Sequence, residues 1–289
     1  MSFFKSPSKR IQDSTRFTPI VITPDLPSNL YWQDLWRYRE LFFILAWRDV
    51  AIRYKQAILG IAWALIRPFL TMVVFSVIFG KLAMLPSQGN APYAILVFAG
   101  LLPWQFFSTA ITASAESLVA NSNLLCKVYF PRLIVPIASI MAAFVDFLLS
   151  FLILIGLMFW YHWTPTWRLL AIPILTLFTI LASIGPGLFL ASLNVKYRDF
   201  RYIVPFLIQI GLYVSPIGFS SEIVPPQYQF IYSLNPMVII IEGFRWSIIG
   251  HGVSLSPSAL YCSLLLVLVA LYLGLLSFRK MEKFFADVI

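Results

Sequence analysis

Long apolar stretches alternate with short polar connections along most of the chain. A helix needs about 20 apolar residues to cross the hydrocarbon of a bilayer, within a usual range of about 17 to 25. By that measure the pattern predicts six membrane-spanning helices, at residues 62–84, 93–115, 133–160, 169–193, 202–219 and 258–278. The predicted fold class is therefore an all-α polytopic membrane protein.

Before the first predicted span, polar and apolar residues alternate with the spacing of an amphipathic helix. At 100° per residue, the polar arc holds Arg48, Asp49, Arg53, Lys55 and Gln56, and the opposite arc holds Phe43, Trp47, Val50, Tyr54, Ala57 and Ile58. Such a helix lies in the membrane interface instead of crossing it. We therefore predict an amphipathic interface helix over residues 31–61 that continues into the first span without a flexible linker. A simple anchor would explain the amphipathic pattern, but not this rigid continuation.

The first 30 residues have a different composition. Four prolines stand there among serine, threonine and aspartate residues. Such a segment is typical of an extended or disordered tail, which we predict for residues 1–30.

Residues 220–257, between the fifth and sixth predicted spans, predict two short re-entrant helices on the extracytoplasmic side. Asn235 followed by Pro236 suits an N-cap and a first helical position. The helix that would follow, PMVIIIEGFRWSIIG, is too short and too charged to span, and its Glu242 and Arg245 are spaced to pair on one face. Non-spanning structure at membrane depth has to be buried in protein or line a wet cavity.

The connection between the second and third predicted spans, residues 118–132, is long enough for a short helix ended by Pro131. Apolar residues that could fill a groove on a partner are Leu124, Leu125, Val128, Tyr129 and Phe130, with Lys127 and Arg132 at the rim. Contacts between a helix and a groove use apolar anchors of this kind. An ordinary surface turn that touches lipid headgroups is the alternative.

Composition and charge agree with a membrane protein. Apolar residues make up 60% of the chain and charged residues only 11%, too few for the surface of a soluble domain. Most lysines and arginines lie in the N-terminal region, in the second-to-third and fourth-to-fifth connections, and near the C-terminal tail, residues 281–289. Because positive connections stay in the cytoplasm, both termini are predicted to be cytoplasmic. The net charge of +9 then follows from topology and lipid contact, and nucleic-acid binding is not needed to explain it.

Acidic residues in or next to the predicted spans are few: Asp146 in the third, and Glu116 at the end of the second. A carboxylate within the membrane is a functional candidate by default. We expect no second titratable group at the depth of Asp146, so a hydrogen-bonded position facing the bundle is favoured over a proton relay. Secondary transport would need coupling carboxylates that the sequence does not offer.

A membrane-embedded glycan-processing enzyme would need clustered acids, arginines or histidines on one side of the membrane. The candidates are sparse: His162, Glu222, Glu242, Arg245 and His251. Neither histidine has an acidic neighbour in the sequence, so no metal site is expected. The chain also contains no G-x-x-x-x-G-K-[ST] phosphate loop, so an ATPase that drove transport would be another polypeptide.

Five segments carry a resemblance to a known family. They are RDVAIRYKQAILGIAWALIRPFLTMVVF, AGLLPWQFF, NLLCKVYFPRLIVP, LNVKYRDFRYIVPFLIQ and LNPMVIIIEGFRW, in this order within residues 35–280. The chain resembles the permease subunit of bacterial type-2 ABC exporters for O-antigen and related cell-surface polysaccharides. Exporters of capsule or teichoic-acid polymers share the same outline.

This resemblance implies an assembly and a location. Two copies of the permease would form a homodimer with two separately encoded ATP-binding subunits in the bacterial inner membrane. ATP and magnesium would bind to those partners, and this chain would hold no cofactor. The cargo would be a polysaccharide linked to undecaprenyl diphosphate.

The resemblance also implies roles for particular residues. The transmembrane domain would cover residues 62–280, with residues 118–132 as a coupling helix and residues 220–257 as gate helices. ATPase-coupling residues would be Arg48, Asp49, Arg53, Tyr54, Lys55, Leu125, Lys127, Tyr129, Phe130 and Arg132, and gate residues would be Asn235, Glu242 and Arg245.

The first and fifth spans would line the passage. Aromatic rings have an apolar face and a polar edge, which suits sliding contact with sugar rings. Candidate lining residues are Phe69, Phe75, Phe79, Phe107, Phe206 and Tyr213. For any single ring, packing against lipid or the protein core is the simpler explanation.

Overall fold

The computed structural model describes residues 28–55, 60–250, 257–283 and 285, and all of its regular structure there is helical. Its α-helices in chain order are α1 Ser28–Arg37, α2 Arg39–Lys55, α3 Gly60–Phe75, α4 Tyr93–Ala120, α5 Ser122–Lys127, α6 Ile134–Trp160, α7 Ile172–Lys196, α8 Phe200–Val214, α9 Pro226–Ser233, α10 Pro236–Ile249 and α11 Pro257–Glu282. A π-helical stretch, Ser76–Leu82, extends α3, and 3-10 turns at Trp167–Ala171 and Ser221–Ile223 precede α7 and α9. The prediction of an all-α polytopic fold is confirmed.

Five helices of the described part are long and apolar enough to cross a membrane. They are Ala62–Leu82, Tyr93–Ala120, Ile134–Trp160, Trp167–Lys196 and Pro257–Glu282. The fifth predicted span, residues 202–219, is instead the 15-residue helix α8, about 22 Å long, which is less than the hydrocarbon thickness. It ends because Ser215 precedes Pro216 and takes an extended conformation, as proline imposes on the residue before it.

Helix α4 lies at the centre of the bundle. Most of its residues are buried, whereas the first span is largely exposed. The core forms where Phe106 of α4 packs against Phe147 of α6, with ring centroids 5.5 Å apart. Phe147 in turn meets Phe244 of α10 edge to face at 6.3 Å. Helices α6, α7 and α10 therefore surround α4, while α3 and α8 pack on it with one face left open.

Helices α7 and α11 approach each other closely through small residues. A Cβ atom on Gly185 would lie 2.6 Å from the backbone of Ala270, and one on Gly274 would collide with the backbone of Gly185. Close backbone approach at glycine is a common way for membrane helices to associate. This contact fixes the last span against the bundle.

The interface segment differs in detail from its prediction. Residues 31–61 were expected to form one helix, but α1 and α2 are separated by a turn at Tyr38. No glycine or proline marks this break. Residues 28–30, expected in the tail, begin α1. The predicted tail over 1–27, the junction at 56–59 with the predicted direct continuation into α3, and His251 lie outside the described residues.

Candidate functional site

The C-terminal end of α2 is tied to the middle of α6. The guanidinium of Arg53 and the hydroxyl of Tyr54 each donate a hydrogen bond to the carboxylate of Asp146. Burial, and then the hydrogen bond and charge of Asp146, raise the pKa of Tyr54, so its hydroxyl stays protonated as a donor at neutral pH. The predicted hydrogen-bonded position of Asp146 is confirmed. The expectation that no titratable group shares its depth is wrong, because α2 brings Arg53 there.

A second contact holds α2 further towards its start. Arg48 donates to Asp49 Oδ1 at 2.7 Å and to Asn121 Oδ1 at 2.6 Å, which links α2 to the end of α4. Ser139 of α6 donates to Asp49 Oδ2 at 3.3 Å. The polar arc of α2 therefore faces the bundle, while Phe43 and Trp47 remain exposed.

These contacts show where the five residues lie that were predicted to couple α2 to an ATPase. Arg48, Asp49 and Arg53 are engaged within the chain. Tyr54, expected on the apolar arc, also turns towards α6. Of the five, Lys55 is the exposed one. The sequence pattern identified these polar residues, but it predicted that they contact a partner protein. In the structure, Arg48, Asp49 and Arg53 contact α4 and α6 instead.

The connection over residues 118–132 is not one continuous helix. It consists of the end of α4, the six-residue helix α5, and an extended turn that begins at Val128. Leu125 and Phe130 are buried, 8% and 4% exposed, in a cluster with Tyr31 and Leu45. Two predicted groove residues therefore pack inside the chain instead of facing outward.

The outward surface of this connection is a short stretch beside the buried pair. Tyr129 is 45% exposed, and Lys127 and Val128 are exposed next to it. Buried neighbours on either side hold this stretch in place. Within this connection, the residues exposed to a partner are thus 126–129, together with Val119, Ala120 and Asn123.

Arg132 joins this connection to the end of the last span. Its backbone N–H donates to Glu282 Oε1 at 3.1 Å, and its guanidinium donates to the Glu282 carbonyl oxygen. The guanidinium also lies 5.9 Å from the ring centroid of Phe285. Sequence analysis missed Glu282, because only tertiary packing brings together residues 150 positions apart.

On the opposite side of the bundle, Arg245 of α10 organises the segment that follows α8. Its side chain is fully buried and donates to the carbonyl oxygens of Ile217 and Phe219, each at 2.9 Å. Arg245 also donates to Glu242 Oε1 at 3.1 Å, so the predicted pair is confirmed. Backbone carbonyls that would otherwise lack partners at membrane depth are satisfied in this way.

Glu242 extends the same network to two other segments. Its carboxylate accepts from the Ser221 backbone N–H at 3.3 Å and from Gln88 Nε2 at 3.4 Å. The hydroxyl of Tyr93 donates to the Gly218 carbonyl oxygen. Gln88 and Tyr93 were not predicted, since their sequence neighbours carry no sign of a buried ion pair more than 100 positions away.

Asn235 has the predicted capping role. Its Oδ1 accepts from the Met237 N–H at 3.0 Å, and Pro236 follows at the first helical position of α10. Its Nδ2 lies 3.4 Å from Ser215 Oγ, where α8 ends. The two short helices α9 and α10 and the post-α8 segment are thus one connected unit.

The six candidate aromatic residues divide into two groups. Phe69, Phe206 and Tyr213 are 44%, 61% and 67% exposed, on the open faces of α3 and α8. The other three are half-buried: Phe75 and Phe79 pack together at 5.4 Å, and Phe107 packs on Trp104 at 5.8 Å. A Cβ on Gly218 would lie 2.6 Å from the Phe79 ring, so the first span contacts the post-α8 segment there.

Comparison with known proteins identifies the family of this chain. The family model described as ABC-2 type transporter matches residues 40–249. The chain belongs to this family. The ABC-2 region runs from the first turn of α2 to the last residue of α10, so it includes both the α2–α6 contacts and the Arg245 network.

Several known proteins are similar to this chain over most of its length. The O-antigen export system permease protein RfbA of Klebsiella pneumoniae is 28% identical over 253 residues, 86% of this chain and 95% of that protein. The polysialic acid transport protein KpsM of Escherichia coli is 26% identical over 245 residues, 82% and 91% of the two chains. The capsule polysaccharide export inner-membrane protein CtrC of Neisseria meningitidis serogroup B is 24% identical over 271 residues, 89% and 97%.

Proposed function

We propose that this ABC-2 chain is the channel-forming permease subunit of an ATP-driven exporter that moves lipid-linked O-antigen across the bacterial inner membrane. The observation that carries this proposal is the similarity to O-antigen export permeases along nearly their whole length. The order of the helices agrees with it, since an interface segment precedes the spans and two short helices precede the last one.

ATP hydrolysis is assigned to two separate partner subunits, which bind ATP and magnesium. We assign their contact to the exposed stretch of residues 126–129, which begins at the end of α5, and to Lys55 at the end of α2. Leu125 and Phe130 anchor this stretch to the bundle, and Arg132 joins it to α11. A push on Tyr129 would therefore be transmitted to the third and last spans through packed side chains.

Interface helix α2 has a transmitting role in this proposal. Its C-terminal end is fixed to Asp146 through Arg53 and Tyr54, and its middle is fixed to α4 through Arg48 and Asn121. A displacement of α2 by the ATPase would move α4 and α6 with it. Arg48, Asp49 and Arg53 of the polar arc thus form the joint to the bundle, and only Lys55 of this arc is assigned to the ATPase contact.

The passage is assigned to the open faces of α3 and α8 in a homodimer. Both helices rest on α4 and leave apolar faces uncovered in the single chain. Phe69, Phe206 and Tyr213 lie on these faces and offer rings against which sugars can slide. Phe75, Phe79 and Phe107 support the walls from behind.

The extracytoplasmic end of the passage is assigned to α9, α10 and the post-α8 segment. Because Arg245 and Glu242 are buried, they brace this unit and do not touch cargo. The braced unit would move as one body when the passage opens, with Asn235 capping α10 throughout.

Capsule polysaccharide is the second candidate cargo, favoured by the similarity to the polysialic acid and capsule proteins. Deleting the gene separates the possibilities, because the polymer missing from the surface identifies the cargo. We expect loss of surface O-antigen and accumulation of lipid-linked polymer inside the cell, restored by the wild-type gene. Unchanged surface and lipid-linked glycan, in a strain without a redundant exporter, would contradict polysaccharide export.

A further inference from the structure

A cavity of about 480 Å³ lies between the end of α2, the start of α3 and the middle of α4 and α6. Its charged lining consists of Arg53, Arg67 and Asp146. Because the single carboxylate pairs with Arg53, one positive charge of the lining is left uncompensated. The cavity is therefore suited to an anion.

Arg67 is the unusual residue of this cavity. It lies inside the first span, where a charged side chain is costly unless it reaches water, a headgroup or a partner. Within the described residues, its guanidinium has no hydrogen-bond or ion-pair partner, and the side chain is exposed. All five of its N–H donors are thus free to bind a ligand.

Other polar groups of the lining face the same space. Gln105 and Thr109 of α4 contribute an amide and a hydroxyl, and Arg53 uses one guanidinium nitrogen on Asp146 and keeps the others. The remaining walls are largely apolar, with Leu102 and Phe106 among them. A few donors within an apolar wall suit the phosphate of a lipid, whose chains can lie along the helices.

The depth of the cavity supports such a ligand. The first span has 21 residues, about 31 Å, so it crosses a hydrocarbon core of about 30 Å with little to spare. Arg67 is five residues from the start of that span, about 7 Å, and Trp63 lies one turn before it, half exposed. Tryptophan marks the level of the lipid headgroups.

We propose that this cavity binds the phosphate of an anionic lipid headgroup. Arg67 makes the bidentate contact that guanidinium groups form with phosphate, and Arg53 of α2 and Gln105 and Thr109 of α4 donate further hydrogen bonds. The ligand is a lipid carrier diphosphate or a phospholipid phosphate. The inference rests on the membrane placement contained in the proposed function, but not on polysaccharide export.

Binding to the purified full-length chain tests this inference. Native mass spectrometry would follow the retention of undecaprenyl diphosphate, of phosphatidylglycerol and of inorganic diphosphate by protein purified in neutral lipid. Arg67→Gln should weaken lipid binding by about tenfold or more, since a charge-assisted contact is lost. Arg67→Lys should restore part of it. Lys81→Gln, at the other end of the same span, is the matched control and should bind as the wild type does.

A second variant should change lipid binding in the opposite direction. Asp146→Asn removes the only carboxylate of the lining and releases Arg53, so it should strengthen binding severalfold. Damage to the fold would not strengthen binding, and elution as a single peak on size exclusion would check that the variants are intact.

The three probes identify the source of the phosphate. A loss in Arg67→Gln confined to undecaprenyl diphosphate identifies a site for the lipid carrier, and a loss shared with phosphatidylglycerol identifies a general headgroup site. Lipid binding unchanged in both Arg67→Gln and Asp146→Asn would overturn the proposal. If inorganic diphosphate bound as tightly as the lipids, the proposal that the ligand is a lipid would be overturned. Neither result depends on ATP or on glycan, so failure here is distinguishable from failure of the export function.

Discussion

Arg245 and Glu242 pair at 3.1 Å on α10, and neither is accessible to solvent. Each also binds backbone of the segment after α8, so the pair connects two elements instead of stabilising one helix alone. Replacing one member of a buried ion pair leaves the other charge uncompensated, at a cost of about 3 to 5 kcal/mol.

We therefore expect Glu242→Ala to lower the stability of the protein by about 3 to 5 kcal/mol. Glu222→Ala removes an exposed carboxylate of the same region and should change stability by less than about 0.5 kcal/mol. The unfolding midpoints of both purified variants, measured under identical detergent conditions, check this difference. Equal midpoints for the two variants would show that the buried pair contributes little.

Substitutions in the second-to-third connection should distinguish residues needed for stability from residues needed for coupling to the ATPase. Phe130→Ala removes a buried ring and should destabilise the protein by about 3 to 5 kcal/mol. Tyr129→Ala, at the exposed neighbour, should leave stability within about 1 kcal/mol of the wild type. It should still abolish most ATP-dependent export, because Tyr129 lies on the proposed ATPase contact.

Measurement of the amount of each variant in the membrane, together with surface glycan, tests this contrast. Sequence analysis gave Tyr129 and Phe130 the same role at the ATPase contact, because periodicity could not tell which ring faces inward. Full export by Tyr129→Ala at normal protein levels would remove residues 126–129 from the coupling contact.

The difference between these two rings illustrates what the sequence could and could not predict. Features set by neighbouring residues were predictable: the Asn235 cap, the pairing of Glu242 with Arg245, and the long apolar helices. The end of α8 at Ser215 also had a visible cause in Pro216, although hydrophobicity alone extended the predicted span beyond it.

Contacts between distant segments were not predictable. Asp146 gains Arg53 and Tyr54 from a helix more than 90 positions earlier, and Arg132 gains Glu282 from the end of the chain. Such pairs depend on how helices pack, which hydrophobic periodicity does not determine. For the same reason, the sequence predicted that the polar arc of α2 contacts an external partner. In the structure, Asp49 and Arg53 of this arc contact α6.

The contact between α2 and α6 should show measurable coupling. Hydrogen bonds to charged groups contribute about 1.5 to 3 kcal/mol, but partial exposure of Arg53 and Asp146 places their contribution towards the lower end. Tyr54→Phe removes only the donor to Asp146 and should cost about 1 to 2 kcal/mol. Tyr202→Phe, at an exposed ring of α8, is the matched control and should have no effect.

A double-mutant cycle with Tyr54→Phe and Asp146→Ala isolates this interaction. We expect the effects of the two substitutions on stability to be non-additive by about 1 kcal/mol, because both remove the same hydrogen bond. Strict additivity would mean that α2 and α6 are not coupled through this pair.

The exposed aromatic rings of α3 and α8 should affect transport without affecting stability. Phe206 is 61% exposed, so Phe206→Ala removes little packing within the chain and should change stability by less than about 1 kcal/mol. If the ring lines the passage, the rate of polymer export should fall severalfold, because a surface on which sugar rings slide is lost. Phe159→Ala removes a ring of α6 that is 77% exposed and serves as the control for a lipid-facing position. Pulse labelling of surface polysaccharide at matched protein levels compares the two, and equal export rates would assign Phe206 to lipid contact instead.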